Sequence, residues 1–116
     1  MKIVFYETEN GDCPLSDYLD SLNPKLLAKT LRTIDLLEKN GSSLRSPYSE
    51  YLKDEIFELR TKQSSNITRI LYFFVVGDKA VLTNGFTKKT NKTPTKEIEL
   101  AKKYREDYLR RDKNEL

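Results

Sequence analysis

Two apolar runs broken by a pair of turn-forming residues dominate the middle of the chain: "RILYFFVV", Arg69 to Val76, then Gly77-Asp78, then "KAVLTNGF", Lys79 to Phe86. β-Branched and aromatic residues at this density, joined by a two-residue Gly-Asp break, read as a β-hairpin. An isolated hairpin is marginal in water, so this pair predicts a larger sheet with something packed on it. The apolar pattern then stops abruptly at "TKKTNKTP", Thr87 to Pro94. Such a sheet ends in a segment suited to meeting an anion.

The rest of the chain supplies the packing partners. "KIVFYE", Lys2 to Glu7, is apolar on both parities and reads as a strand. A short helix is expected through "LSDYLDSL", with Asp12 or Ser16 as its cap. A longer one follows, with Asn23 as N-cap, Pro24 at the first helical position and Gly41 just past the end. Leu27, Leu31, Ile34 and Leu37 or Glu38 define its expected inner stripe. "SSLRSPYSEYLKD" shows no periodicity and reads as a loop. In "EIFELRTK" the period returns to two, placing Ile56, Glu58 and Arg60 on one side and Phe57, Leu59 and Thr61 on the other. A final helix should start at Thr93-Pro94 and run to about Arg110.

The order β, α, α, β, β, β, α predicts an α+β domain: a small twisted, mainly antiparallel sheet with helices packed on one face and a C-terminal helix. A chain of 116 residues holds one such core, so residues 1–116 form a single domain. No apolar window approaches the roughly 18 residues of a membrane span, and the N-terminus meets acids too early for a signal peptide. The expected location is the cytoplasm, with no membrane contact.

Residue types narrow the chemistry. The chain has one cysteine and no histidine, which excludes an internal disulfide, the usual zinc sites and any Ser-His-Asp machinery. No metal and no cofactor is expected, and proton transfers would fall to Lys, Tyr, Asp or Glu. Charge is unevenly spread: residues 1–59 hold 7 basic and 11 acidic groups, residues 60–116 hold 14 and 7. Asymmetry of this kind points to a polyanion such as nucleic acid, or to a lysine-rich solvated surface.

The sheet face opposite the helices should carry Arg60 or Glu58 and Arg69, with Lys88 and Lys89 emerging beside them. A guanidinium presents a planar fork that matches phosphate oxygens. Arg69, at the start of an apolar strand, either serves such an anion or pairs with Glu58 or Glu55 across the hairpin. Lys88, Lys89, Lys92 and Lys96 precede a helix N-terminus, as an anion site or as a solubilising loop. Tyr48 and Tyr51, beside Arg45 and Lys53, either stack bases of a single strand or pack at the edge of the core.

The pieces "ELR" (Glu58 to Arg60), "RILYFF" (Arg69 to Phe74), "GFTKK" (Gly85 to Lys89) and "TPTKEIELA" (Thr93 to Ala101) together resemble the RelE/HigB toxin superfamily, in its phage-related, host-killing HigB-like branch. The resemblance covers Leu52 to Tyr108. It implies the toxin of a type II toxin-antitoxin system, a metal-independent mRNA endoribonuclease acting in the translating ribosome. It also implies a cognate antitoxin, HigA-like with a Cro-type helix-turn-helix, docking on the acidic helical side, residues 7–38, or over the basic face. The catalytic residues it suggests are Arg69 for the transition-state phosphate and Lys88 and Lys89 as acid or electrostatic clamp, to which Glu58 is added as a candidate base. Arg60, Tyr48, Tyr51, Lys53 and Lys92 would contact RNA.

The chain departs from that pattern within the site. Two lysines preceding the "LR" arginine in RelE-like members are replaced by Ile56 and Glu58, and a base-stacking tyrosine aligns near Thr95. The general base then falls to Glu58, Tyr51 or Lys53. The same departures suit an alternative: a phage-derived regulator that binds RNA or the ribosome without cutting.

Overall fold

The computed structural model describes residues 1–89 and 92–114. In chain order the elements are β1 (Lys2–Phe5), α1 (Pro14–Asp20), α2 (Pro24–Asn40), a 3-10 turn (Gly41–Ser43), β2 (Ser49–Lys53), β3 (Ile56–Gln63), β4 (Asn66–Val75), β5 (Lys79–Lys88) and α3 (Thr95–Asn114). The five strands form one sheet in the order β1-β5-β4-β3-β2. Only β1 runs parallel to its neighbour, pairing Ile3 with Ala80 and Phe5 with Leu82. The α+β class expected from the sequence is the observed one.

The hairpin forms where the pattern placed it, with β4 and β5 at the sheet centre. Gly77 and Asp78 turn the chain at φ 100° and 65°, a region glycine enters freely and aspartate tolerates. Asn23 caps α2, its Oδ1 accepting from the Leu26 amide at 2.9 Å. At α1 neither expected cap operates: Cys13 occupies the N-cap position, with no side-chain bond there.

Three expectations change. The Tyr-rich segment read as a loop contains β2, which pairs antiparallel with β3 at Ser49↔Leu59 and Tyr51↔Phe57. An edge strand of five residues is held by its single neighbour and shows little periodicity of its own. The buried stripe of α2 is Leu26, Thr30, Thr33, Ile34 and Leu37, whereas Leu31 is 43% exposed. Threonines occupy it because they bond across the interface: Thr33 Oγ1 accepts from Thr61 at 2.8 Å, and Thr30 and Thr68 hydroxyls lie 3.1 Å apart.

Helices, finally, cover both faces of the sheet. On one face Leu15, Leu19, Ile34 and Leu37 from α1 and α2 pack on Leu59, Ile70, Tyr72, Ala80 and Leu82. On the other, Ala101, Tyr104 and Tyr108 of α3 pack with Tyr6, Leu71, Phe73, Val81 and Phe86. The face expected to lie open is therefore largely a second core. The alternation of apolar residues on both parities of β4 is the physical cause, since a strand of that composition leaves two faces to bury.

One irregularity positions α3. Between Ile70↔Gly85 and Tyr72↔Leu82 the register shifts, so β5 carries an extra residue. In that bulge Asn84 Nδ2 donates to the Glu97 carbonyl at 3.1 Å and to its Oε1 at 3.0 Å, gripping the first turn of α3. On the opposite face Gly85 lies against Tyr18, whose ring atom Cδ2 would stand 2.4 Å from any added Cβ.

Candidate functional site

The register of the sheet decides which charged residues meet. Arg60 pairs with Arg69 across β3 and β4, Arg69 with Phe86 across β4 and β5, and Glu58 with Leu71 one rung away. Because side chains alternate with period two, Glu58, Arg60 and Arg69 share the α3 face, as the spacing of "ELR" predicted. On the next rung Lys62 and Lys88 both pair with Ile67, which adds two exposed ammonium groups to that face. The cationic end of the face lies where the apolar pattern of β4 and β5 gives way.

The geometry of the cluster corrects the expectation that it floors an open hollow. Arg69 and Glu58 are both 0% exposed, with Nη1 and Oε1 at 3.8 Å. Arg60 Nε donates to the same Oε1 at 2.5 Å, and its side chain remains 22% exposed. Glu58 Oε2 accepts a hydrogen bond from the Thr93 hydroxyl, which also receives Arg69 Nη1 at 3.4 Å. Glu58 is thus held between two guanidinium groups and a threonine from the segment leading into α3. Burial pulls the Arg69 pKa below its ordinary value, Glu58 opposes that, and the neighbouring Arg60 charge adds to it. Of the three charged groups, Arg60 is the one that reaches water.

The other expected site residues separate into groups. Lys88, Lys89 and Lys92 are exposed; Thr90 and Asn91, which complete the TKKTNK segment, lie outside the described residues. Tyr48 is 45% exposed and stands beside Arg60, lining the same hollow. Tyr51 points elsewhere: it packs edge-on against Phe57 at 5.2 Å, its hydroxyl accepts from the Glu55 amide at 3.1 Å, and it lines a different hollow. Lys53 is an ion-pair partner of Glu99 at 3.9 Å. Tyr51 and Lys53, offered as bases, therefore sit apart from the Glu58 cluster: the pleat of β2 turns Tyr51 to the opposite face with Phe57, and Lys53, on the α3 face beside Ile56, is held by Glu99.

Thr93 and Asn84 were not among the site residues expected from the sequence. Thr93 lies in the "KTP" that precedes a helix and reads as an ordinary cap, while Asn84 inside "VLTNGF" carried the signal of a bulge: an amide followed by glycine within an apolar strand. Among the described residues, no three His, Cys, Asp or Glu side chains gather as a metal site, and no helix is long and apolar enough to cross a membrane.

Comparison with known proteins adds a family match. Residues 17–106 fit the family described as Phage derived protein Gp49-like (DUF891), a span that runs from α1 into α3 and contains the whole cluster. No curated protein matches the chain.

Proposed function

Because the chain belongs to the phage-derived Gp49-like family, within the RelE/ParE-like toxin superfamily, we propose that it is the toxin of a type II toxin-antitoxin pair and cleaves mRNA on the ribosome, in the manner of the HigB-like branch. The observation that carries this reading is the convergence of Glu58, Arg60 and Arg69 on adjacent rungs of the sheet, next to exposed Lys62 and Lys88. A cyclising cleavage needs this combination of charges. The 2′ oxygen forms its bond to phosphorus as the bond to the 5′ oxygen breaks, leaving a 2′,3′-cyclic phosphate and a 5′-hydroxyl. Cations around the crowded phosphorus stabilise that transition state.

In this reading Arg60, with Lys88 or Lys89, contacts the phosphate, and one lysine protonates the leaving oxygen. Arg69 acts from beneath, holding Glu58 and thereby the Arg60 fork in place. Glu58 takes the 2′ proton when Thr93 leaves its Oε2. Lys92 extends the phosphate contacts, and no metal takes part. The ribosome orients the message, which offsets a site poor in acids and bases. The antitoxin, HigA-like with a Cro-type helix-turn-helix, silences the protein in the cytoplasm by covering the basic face.

A second reading has its own observation. Glu58 and Arg69 are sealed from solvent, an ion pair 3.8 Å apart at Oε1 and Nη1, which suits a protein that docks on RNA or the ribosome without cutting it. Inducible expression of wild type, Arg60→Ala and a Lys88→Ala/Lys89→Ala pair, each checked for folding by thermal melting, decides between them. Nuclease action predicts growth arrest with fragmented transcripts in wild type and at least a tenfold loss of fragmentation in both variants. Arrest with intact transcripts in wild type assigns the protein to binding alone.

A further inference from the structure

Just before the start of β2, the edge of β3 at Arg60 to Lys62 borders a notch with α2, and Tyr48, 45% exposed, lines it. Two adjoining hollows, of about 340 and 420 Å³, share Lys29, Thr33 and Tyr48 in their walls. Five basic residues line them, Lys29, Arg32 and Lys39 from α2 with Arg60 and Lys62 at the exposed edge of β3, and Asp35 is the one acid among the described lining residues. The floor is rigid, because Thr33 and Thr61 bond across it at 2.8 Å and both are buried.

We infer that this α2–β3 groove is a binding site for single-stranded RNA, with Tyr48 as the platform for one base and Lys29, Arg32, Lys39 and Lys62 along the phosphates. This inference rests on the proposed RNA target and extends it to a helix face that the sequence placed away from the chemistry. Three features favour a nucleic-acid strand over an acidic protein segment. An accessible aromatic ring gives a base a stacking surface, which a carboxylate side chain does not use. The basic residues gather along two hollows that share Lys29, Thr33 and Tyr48, instead of scattering over a flat face. Arg60 belongs to both the groove and the Glu58 cluster, so a strand lying in the groove is led to the candidate reaction site.

The test measures binding of the full-length protein to a 12-nucleotide single-stranded RNA by fluorescence anisotropy over a range of salt, with a poly-glutamate peptide as the competing polyanion. Tyr48→Ala should weaken RNA binding about tenfold, the size of one base stack, whereas Tyr48→Phe should stay within about twofold. A Lys29→Gln/Arg32→Gln/Lys39→Gln variant should flatten the dependence of log affinity on log salt by about 0.7 for each phosphate that is no longer neutralised. Repeating the series with ribosomes free of message separates sources: weakening on the oligonucleotide assigns the groove to message, and weakening on the ribosome assigns it to ribosomal RNA. Unchanged binding to both in Tyr48→Ala and in the triple variant overturns the site. Equal weakening in Tyr48→Ala and Tyr48→Phe overturns the stacking role, and poly-glutamate binding as tightly as RNA overturns the choice of ligand. None of these readouts depends on cleavage, so failure here and intact transcripts in culture are separate results.

Discussion

The two faces of the sheet are built by the same strands and held in opposite ways. Toward α2, polar side chains at the interface are neutral threonines that satisfy one another in pairs, Thr33 with Thr61 and Thr30 with Thr68. Toward α3, the interface holds Glu58 and Arg69 at 0% exposure and closes with polar contacts around its margin, Lys102 to Asp54 at 2.8 Å and the Tyr6 hydroxyl to Asp107 at 2.6 Å. Neutral hydroxyl pairs are cheap to bury, whereas each buried ion gives up several kcal/mol of hydration that its partner only partly restores. A fold needs a covered sheet but does not need charges inside it. The difference teaches that the α2 interface is built for structure, while the α3 interface retains groups whose presence stability alone does not explain.

That contrast breaks most visibly at Glu58. Glu58→Ala leaves the Arg69 guanidinium without its buried carboxylate and should cost about 3–5 kcal/mol, read as a fall in the urea midpoint. The paired change Glu58→Met/Arg69→Met removes both charges and should recover most of that deficit while abolishing the effect on translation. If the double variant is as unstable as the single one, the cluster is structural after all. A smaller effect is expected on the other face: Thr33→Val orphans one hydroxyl at Thr61 and should cost about 1 kcal/mol, and Thr33→Val/Thr61→Val should return close to wild type.

The gentlest probe is pH. Asp107 accepts from the Tyr6 hydroxyl at 2.6 Å and from Arg111, and these bonds, the Tyr6 one foremost, lower its pKa from 3.8 to about 2. A carboxyl depressed in the folded state stabilises it above the unfolded value and loses that contribution as pH falls from about 4 towards 2. Burial first, and then Asp107, raises the Tyr6 pKa to about 12, so its share is complete below 10 and is lost as pH climbs through 12. Stability followed by circular dichroism should therefore drop below pH 4, and Asp107→Asn should remove part of that slope. Thr33→Val should leave the slope unchanged, because nothing in the threonine pairs titrates.

Much of this was legible in the chain. Periodicity located β3, β4, β5 and α2, because long apolar runs and a proline with its capping asparagine are local signals. The side-chain alternation of "ELR" placed Glu58 and Arg60 on one face. β2 was not legible, since a five-residue edge strand exists by virtue of its partner. The threonine stripe of α2 was not legible either: Thr30 and Thr33 qualify as core only because Thr68 and Thr61 stand opposite.

By itself, then, the sequence determined the class of fold, the hairpin at its centre and the set of charges available near its end. Tertiary structure alone decided which of those charges reach water. The apolar run made Arg69 an arginine at a strand start; inside β4 it became a buried partner of Glu58 because α3 and Thr93 close over that face, and such closure depends on residues far apart in the chain.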